Sequence, residues 1–227
     1  MTNSPRENFW RVEEEIKQTA LHAGRKPEEI QLVIVTKQCS FQVNQSLYEI
    51  GCRDFGENRV QELKEKSMLL PSDIQWHFIG TLQRNKTNAA IQIAALIHSV
   101  DSLELAQAIS ECSRKLNKNT SILLQVNVSG EQSKRGLCPD EWERCLQELN
   151  TLPFINVRGL MTMAPLTEDF KLIRHCFASL RKLRDQWQHL MREPALFKEL
   201  SMGMSHDFKI AIEEGATLLR LGTIILK

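Results

Sequence analysis

The sequence lacks the features that would place it in a membrane, in a disulfide-stapled scaffold or on a nucleic acid. None of its apolar runs is long enough to span a bilayer; the longest, such as LVIV and SILLQVNV, are strand-sized. The opening MTNSPRENFWRVEEEIK has no apolar core of the kind a secretory signal carries. The six cysteines (Cys39, Cys52, Cys112, Cys138, Cys145 and Cys176) include no CxxC pair. Reduced, packed thiols are therefore expected, and the expected compartment is the cytoplasm. No HxH, HExxH or His/Cys spacing points to a metal. Neither charge is in surplus: 29 Lys+Arg against 28 Asp+Glu leave +1, with no like-charge block. Nucleic acid and membrane surfaces are thus not expected partners. No Gly-, Ser- or Pro-rich linker divides the chain, so one domain over residues 1–227 is expected.

What is present is an alternation of short β-rich runs with amphipathic helical stretches. An opening helix, Pro5 to Ala23, sets Phe9, Val12, Ile16 and Ala20 on one face. QLVIVTK (Gln31–Lys37) follows, a continuous apolar run of the kind buried on both faces of a parallel sheet. Further strands are expected at Asp54–Asn58, Ile74–Gly80, Leu96–Asp101, Ser121–Ser129, Ile155–Pro165 and Phe197–Gly203, with TLLRLGTIIL closing the chain. Each but the last precedes a helical pattern. Strands alternating with helices argue for parallel βαβ units, and eight of them select an α/β fold, the (β/α)8 TIM-type barrel, with an additional N-terminal helix.

In such a barrel, ligands gather at the C-terminal ends of the strands. Lys37 ends the first apolar run, where partial desolvation would favour the neutral amine that forms an imine with an aldehyde. A lysine snorkelling outward would read the same way. Ser201-Met202-Gly203 ends the seventh run and Arg220-Leu221-Gly222-Thr223 the eighth. Loops there often hold a phosphate, with Gly222 permitting close amide approach and the Ser201 and Thr223 hydroxyls able to donate. A Gly-containing turn without a ligand fits equally. Lysine and phosphate cup together suggest a phosphorylated aldehyde cofactor. His77, inside IQWHFIG, reads as a satisfied core histidine or a pocket residue. Glu57 and Asn58 could cap the next helix or touch ligand. Met161 and Met163 should pack the barrel or line its mouth.

VTKQ around Lys37, FGENRVQE, WHFIGTLQRNK, HSVDSLELA, LLQVNVSGEQSKRGL, RGLMTMAP, LSMGMSHDFKIAIEEGAT and RLGTIIL closely resemble the pyridoxal-phosphate homeostasis protein family, in order, from about Gln31 onward. The resemblance implies a barrel akin to the N-terminal domain of alanine racemase, with pyridoxal 5′-phosphate (PLP) held as an imine on Lys37. It implies Ser201 and the backbone of Gly222 and Thr223 at the phosphate, Arg220 at the pyridine nitrogen, and Asn58, His77 and Met202 around the pocket. Its implied role is intracellular PLP (vitamin B6) and amino-acid homeostasis, without an established catalytic activity. The alternative is a PLP-dependent, racemase-like enzyme acting on amino acids. Apo PLP-dependent enzymes are implied partners, and a monomer is expected over a dimer. Three residues depart from the family pattern: Thr36 stands where serine is usual, Gln38 where Thr, Lys or Tyr is common, and Thr81 where histidine is frequent. The chain stops soon after the eighth run, so a looser final turn is expected.

Overall fold

The computed structural model describes residues 4–131 and 135–227; Gln132, Ser133 and Lys134, within the LLQVNVSGEQSKRGL block, lie outside them. Eight parallel strands close into one barrel in sequence order: β1 (Gln31–Val35), β2 (Asp54–Glu57), β3 (Gln75–Phe78), β4 (Leu96–Val100), β5 (Thr120–Gln125), β6 (Ile155–Met161), β7 (Glu199–Ser201) and β8 (Leu218–Leu221). β8 returns to β1 with Gln31 beside Leu218 and Ile34 beside Leu221, and this pairing closes the ring. The fold is the expected (β/α)8 barrel. Its strands are shorter than the β-rich runs: β3 is Gln75–Phe78 within Ile74–Gly80, and β6 ends at Met161 although the run continues to Pro165.

Strand alternation builds two apolar regions. One parity points into the lumen, where Val33, Leu96, Leu123, Met161 and Leu218 form a small buried cluster. The other parity faces the helices, and Phe55, Trp76, Phe78, Ile97, Leu124, Leu160 and Leu200 join the larger core there. The helices of that layer are α2 (Phe41–Tyr48), α3 (Val60–Leu69), α4 (Thr87–Ile93), α5 (Leu103–Lys115), α6 (Pro139–Leu149), α7 (Phe170–Gln188), α8 (Phe208–Glu213) and a short α9 (Thr223–Leu226). Trp142 of α6, fully buried, donates from Nε1 to the Gln125 carbonyl at 2.9 Å and ties its helix to β5.

The opening helix α1 (Pro5–His22) begins with a capping box. The Ser4 side chain accepts from the Glu7 amide, and the Glu7 carboxylate accepts from the Ser4 amide. Its face of Phe9, Val12, Ile16 and Ala20 is buried, and it packs on α8 and α9. Asn8 Nδ2 donates to the Ile225 carbonyl at 3.2 Å. The end of the chain is therefore a helical turn with a fully buried Ile225, not the loose segment expected. No helix among the described residues is long and apolar enough to cross a membrane.

Candidate functional site

Residues 36–38 form a turn at the C-terminal end of β1. Thr36 is fully buried, and three side chains converge on it. Its hydroxyl donates to Glu57 Oε1 at 2.8 Å and accepts from Asn44 Nδ2 at 2.9 Å. Lys66 Nζ donates both to the Thr36 carbonyl, at 2.7 Å, and to Glu57 Oε1, at 2.6 Å. Burial pushes the Glu57 carboxyl upward, opposed by the Lys66 and Thr36 hydrogen bonds. Gln38, with φ +63°, takes the left-handed conformation and donates its amide to Glu62 Oε2 at 3.1 Å. Lys37 stands between these two clamped residues, on the parity of Val33 and Val35. It is exposed, which corrects the expected desolvation: β1 ends two residues earlier and the turn lifts the side chain clear of the core.

β8, the strand beside β1, sends Arg220 into the lumen, 5% exposed. Its guanidinium donates to Ser201 Oγ at 2.5 Å and to the Thr162 carbonyl at 2.8 Å. Burial lowers its pKa to about 10, with Asp207 opposing, so it stays charged at neutral pH. Asp207 itself is buried and accepts the Met204 amide at 2.5 Å, fixing the loop that follows β7.

That loop changes the expected phosphate cup. Ser201 pairs in register with Leu218, four residues before Gly222 along β8, and its hydroxyl lies between Arg220 and His98 Nδ1 (2.8 Å). At about 3.3 Å per residue this sets Ser201 well below the mouth. Ser205, which the sequence reading overlooks, is the serine beside Gly222 and Thr223; its Oγ accepts the Ile224 amide at 3.3 Å. Gly222 needs its missing side chain, since a Cβ would meet the Val35 carbonyl at 2.9 Å. Thr223 opens α9, whose N-terminus has no side-chain cap.

Asn58, at the end of β2, keeps a buried Oδ1 without a hydrogen-bond partner. It caps no helix, nor does Glu57, whose carboxylate serves Lys66 and Thr36. Strand parity corrects the pocket role expected of Met202, while depth in the lumen favours the satisfied-core reading of His77 over the pocket one. Met202 is fully buried on the helix-facing side, in the larger core, because it alternates with the lumen-facing Ser201. His77 lies deep in the lumen with both ring nitrogens engaged, by His98 at 2.9 Å and Asp54 at 3.0 Å. It borders a cavity at the N-terminal end, away from Lys37. Met161 packs the lumen while Met163 lies exposed at the mouth, so the two methionines divide the expected roles. Thr81 is exposed and contributes nothing to these contacts. Cys39, Cys52, Cys112, Cys138 and Cys145 carry free thiols, and no metal-binding cluster occurs among the described residues.

The sequence pattern of the alanine racemase N-terminal domain family matches residues 11–227. The pyridoxal phosphate homeostasis protein of Aquifex aeolicus is 40% identical over 220 residues, covering 96% of each chain. The chain belongs to the pyridoxal phosphate homeostasis protein family. A second family member, from Pseudomonas aeruginosa, is 37% identical over 220 residues, 96% of this chain and 93% of that one. PipY of Synechococcus elongatus, solved with PLP bound, superposes with a TM-score of 0.83 at 34% identity, covering 93% of this chain and 100% of PipY. Alanine racemase of Clostridium difficile shares the barrel alone, at 18% identity and a TM-score of 0.74, this chain spanning 56% of it.

Proposed function

We propose that this family member binds PLP at the C-terminal mouth of its barrel and serves intracellular vitamin B6 and amino-acid homeostasis. One observation carries the reading. An exposed amine on a clamped turn, Lys37, shares a mouth with the Gly222–Thr223 turn, and a buried guanidinium, Arg220, lies below them. The relative solved with PLP, at 34% identity over nearly the whole chain, supports the same cofactor.

The residues present fit the group. Lys37 is the amine that would hold the aldehyde carbon. Backbone amides at Gly222 and Thr223 and the Ser205 hydroxyl would receive the phosphate, in place of the enclosed Ser201. Arg220 would donate to the pyridine nitrogen. Asn58, with its unpartnered buried amide oxygen, is available to a polar group of the ligand. Bound there, PLP would supply an aldehyde that condenses with an amine and a conjugated ring that withdraws electrons. The protein's own part is to hold and release it. The exposure of Lys37 suits exchange with apo PLP-dependent enzymes by a cytoplasmic monomer. Six cysteines scattered over separate segments are consistent with that reducing compartment.

A racemase-like enzyme is the second reading, favoured by the alanine racemase domain match over residues 11–227. Two-sided inversion of a carbon centre needs a base on each face. The single tyrosine, Tyr48, sits on the outer helix α2 and donates to Asp73 Oδ1 at 2.9 Å, so it offers no second base at the mouth. Titrating the purified protein with PLP tests the proposal. A visible absorption band should grow to saturation in the wild type and be absent in Lys37→Ala. A wild-type spectrum equal to that of free PLP would overturn it.

A further inference from the structure

The lumen of a (β/α)8 barrel is ordinarily packed with branched apolar side chains. Here a continuous line of polar side chains crosses it. Gln31 Nε2 donates to Asp54 Oδ1 at 2.7 Å, and Asp54 Oδ1 meets His77 Nε2 at 3.0 Å. His77 Nδ1 meets His98 Nε2 at 2.9 Å, and His98 Nδ1 meets Ser201 Oγ at 2.8 Å. Ser201 Oγ accepts from Arg220, which also reaches the Thr162 carbonyl. Six strands contribute one side chain each, and His77, His98, Ser201 and Arg220 are all at most 5% exposed. Burying so many polar groups is costly unless every one is satisfied in a defined way.

Chemistry at the two ends fixes the direction of the line. The Asp54 carboxylate only accepts and the Arg220 guanidinium only donates. His77 must therefore carry a proton on Nε2, facing Asp54. If His77 is neutral, its Nδ1 accepts, and His98 must present Nε2–H to it. His98 Nδ1 then accepts the Ser201 hydroxyl proton, and Ser201 Oγ receives Arg220. Each bond has one proton. Burial holds the His98 pKa well below its ordinary value, and the Arg220 charge works in the same direction, in keeping with a single proton on that ring. The reverse order would set His98 Nδ1–H and Arg220 against the same serine oxygen and leave the serine proton without an acceptor.

We infer that Asp54, His77, His98 and Ser201 are positioning residues for Arg220. They form a one-way hydrogen-bonded line that holds the guanidinium in place from the opposite end of the barrel. Asp54 borders a cavity of about 200 Å³ at the N-terminal mouth, so the line joins the two ends of the lumen. Its consequence for PLP rests on the reading that Arg220 meets the bound cofactor.

The test uses the full chain with and without PLP. In the PLP-free protein, long-range ¹H–¹⁵N spectra should show His77 and His98 both protonated on Nε2 and bare on Nδ1. The Arg220 Nη signals should report slow rotation of a held guanidinium. Asp54→Asn keeps the shape but removes the charge, and Asp54 touches neither Ser201 nor Arg220. It should speed that rotation by roughly three- to tenfold, the coupling usual within one hydrogen-bonded network. His98→Gln provides a second variant should Asp54→Asn fold poorly, with the same expected result. In the loaded protein both variants should shift the visible band. A proton on His98 Nδ1, or Arg220 rotation unchanged in both variants, overturns the inference. Should no form take up PLP, the cofactor reading fails while the guanidinium measurement still decides the positioning line.

Discussion

Arg220 and its neighbours show how a single titratable group can report on a buried site. His98 is held neutral in the folded protein, while in the unfolded chain it protonates near its ordinary value of about 6.5. Above that pH the two states bind the same protons and the group contributes no pH dependence. Below it the unfolded state gains a proton that the folded state refuses, so stability falls as pH drops. The cost approaches about 1.4 kcal/mol per pH unit until the folded pKa is reached. Denaturant titrations at pH 7.5 and 5.5 should therefore show the wild type losing more stability than His98→Gln over that interval. Equal losses would mean that His98 is not kept neutral. At the same scale, Ser205→Ala removes one charge-assisted hydrogen bond to the proposed phosphate. That should weaken PLP retention by roughly ten- to a hundredfold, measured as dissociation of the visible band. Unchanged dissociation would place the phosphate elsewhere.

Single residues are also where sequence reading fails. Lys37 is recognisable at the end of LVIV, and Gly222 as a turn glycine. The sites at Ser201, Met202 and His77 are not separable by position, because a one-residue step moves a strand side chain from the lumen to the helix layer. Ser201 points inward and Met202 outward for that reason alone. Ser205 lies in an irregular loop, where no periodicity indicates direction. The inward parity of His98 and Asp54 is a signal in the sequence too, since apolar side chains ordinarily fill those positions of a barrel lumen.

At the scale of elements, the turn after β1 depends on a buried ion pair between α3 and β2. Glu57 is fully buried, and Lys66, its cation, also holds the Thr36 carbonyl. Removing one partner of such a pair strands the other and typically costs about 3–5 kcal/mol. Lys66→Met should lie at the lower end, since Glu57 can escape by taking up a proton. Denaturant unfolding should show the loss, and the double variant with Glu57→Gln should recover part of it. A Lys66→Met protein as stable as the wild type would mean that the pair does not brace the turn. Strand and helix order is legible in the sequence because apolar runs bounded by amphipathic stretches repeat eight times. The ends are less so: β6 stops at Met161 although the run continues to Pro165, and a turn at the end of the chain becomes α9 by packing on α1. Tertiary contact decides those boundaries, and local pattern does not carry it.

For the whole molecule, the closed barrel accounts for both the site and its proposed limits. The turn after β1 that carries Lys37 and the Gly222–Thr223 turn after β8 share one mouth only because the last strand pairs with the first. A guanidinium, donating but not protonating, would hold a ring nitrogen without strengthening its electron withdrawal. With Tyr48 engaged by Asp73 on the outside, racemisation of single-enantiomer alanine by the PLP-loaded protein should stay far below ~1 s⁻¹, the low end of ordinary turnover. Chirality followed over hours checks this, and turnover at that rate would favour the enzyme reading.

Chemical trapping tests whether Lys37 carries the cofactor. The PLP-loaded protein is reduced with borohydride, digested, and the pyridoxyl-bearing peptide sequenced by mass spectrometry. One dominant label is expected, on Lys37. A label chiefly on another lysine, such as Lys86, or no label on a protein that demonstrably retains PLP, would contradict it.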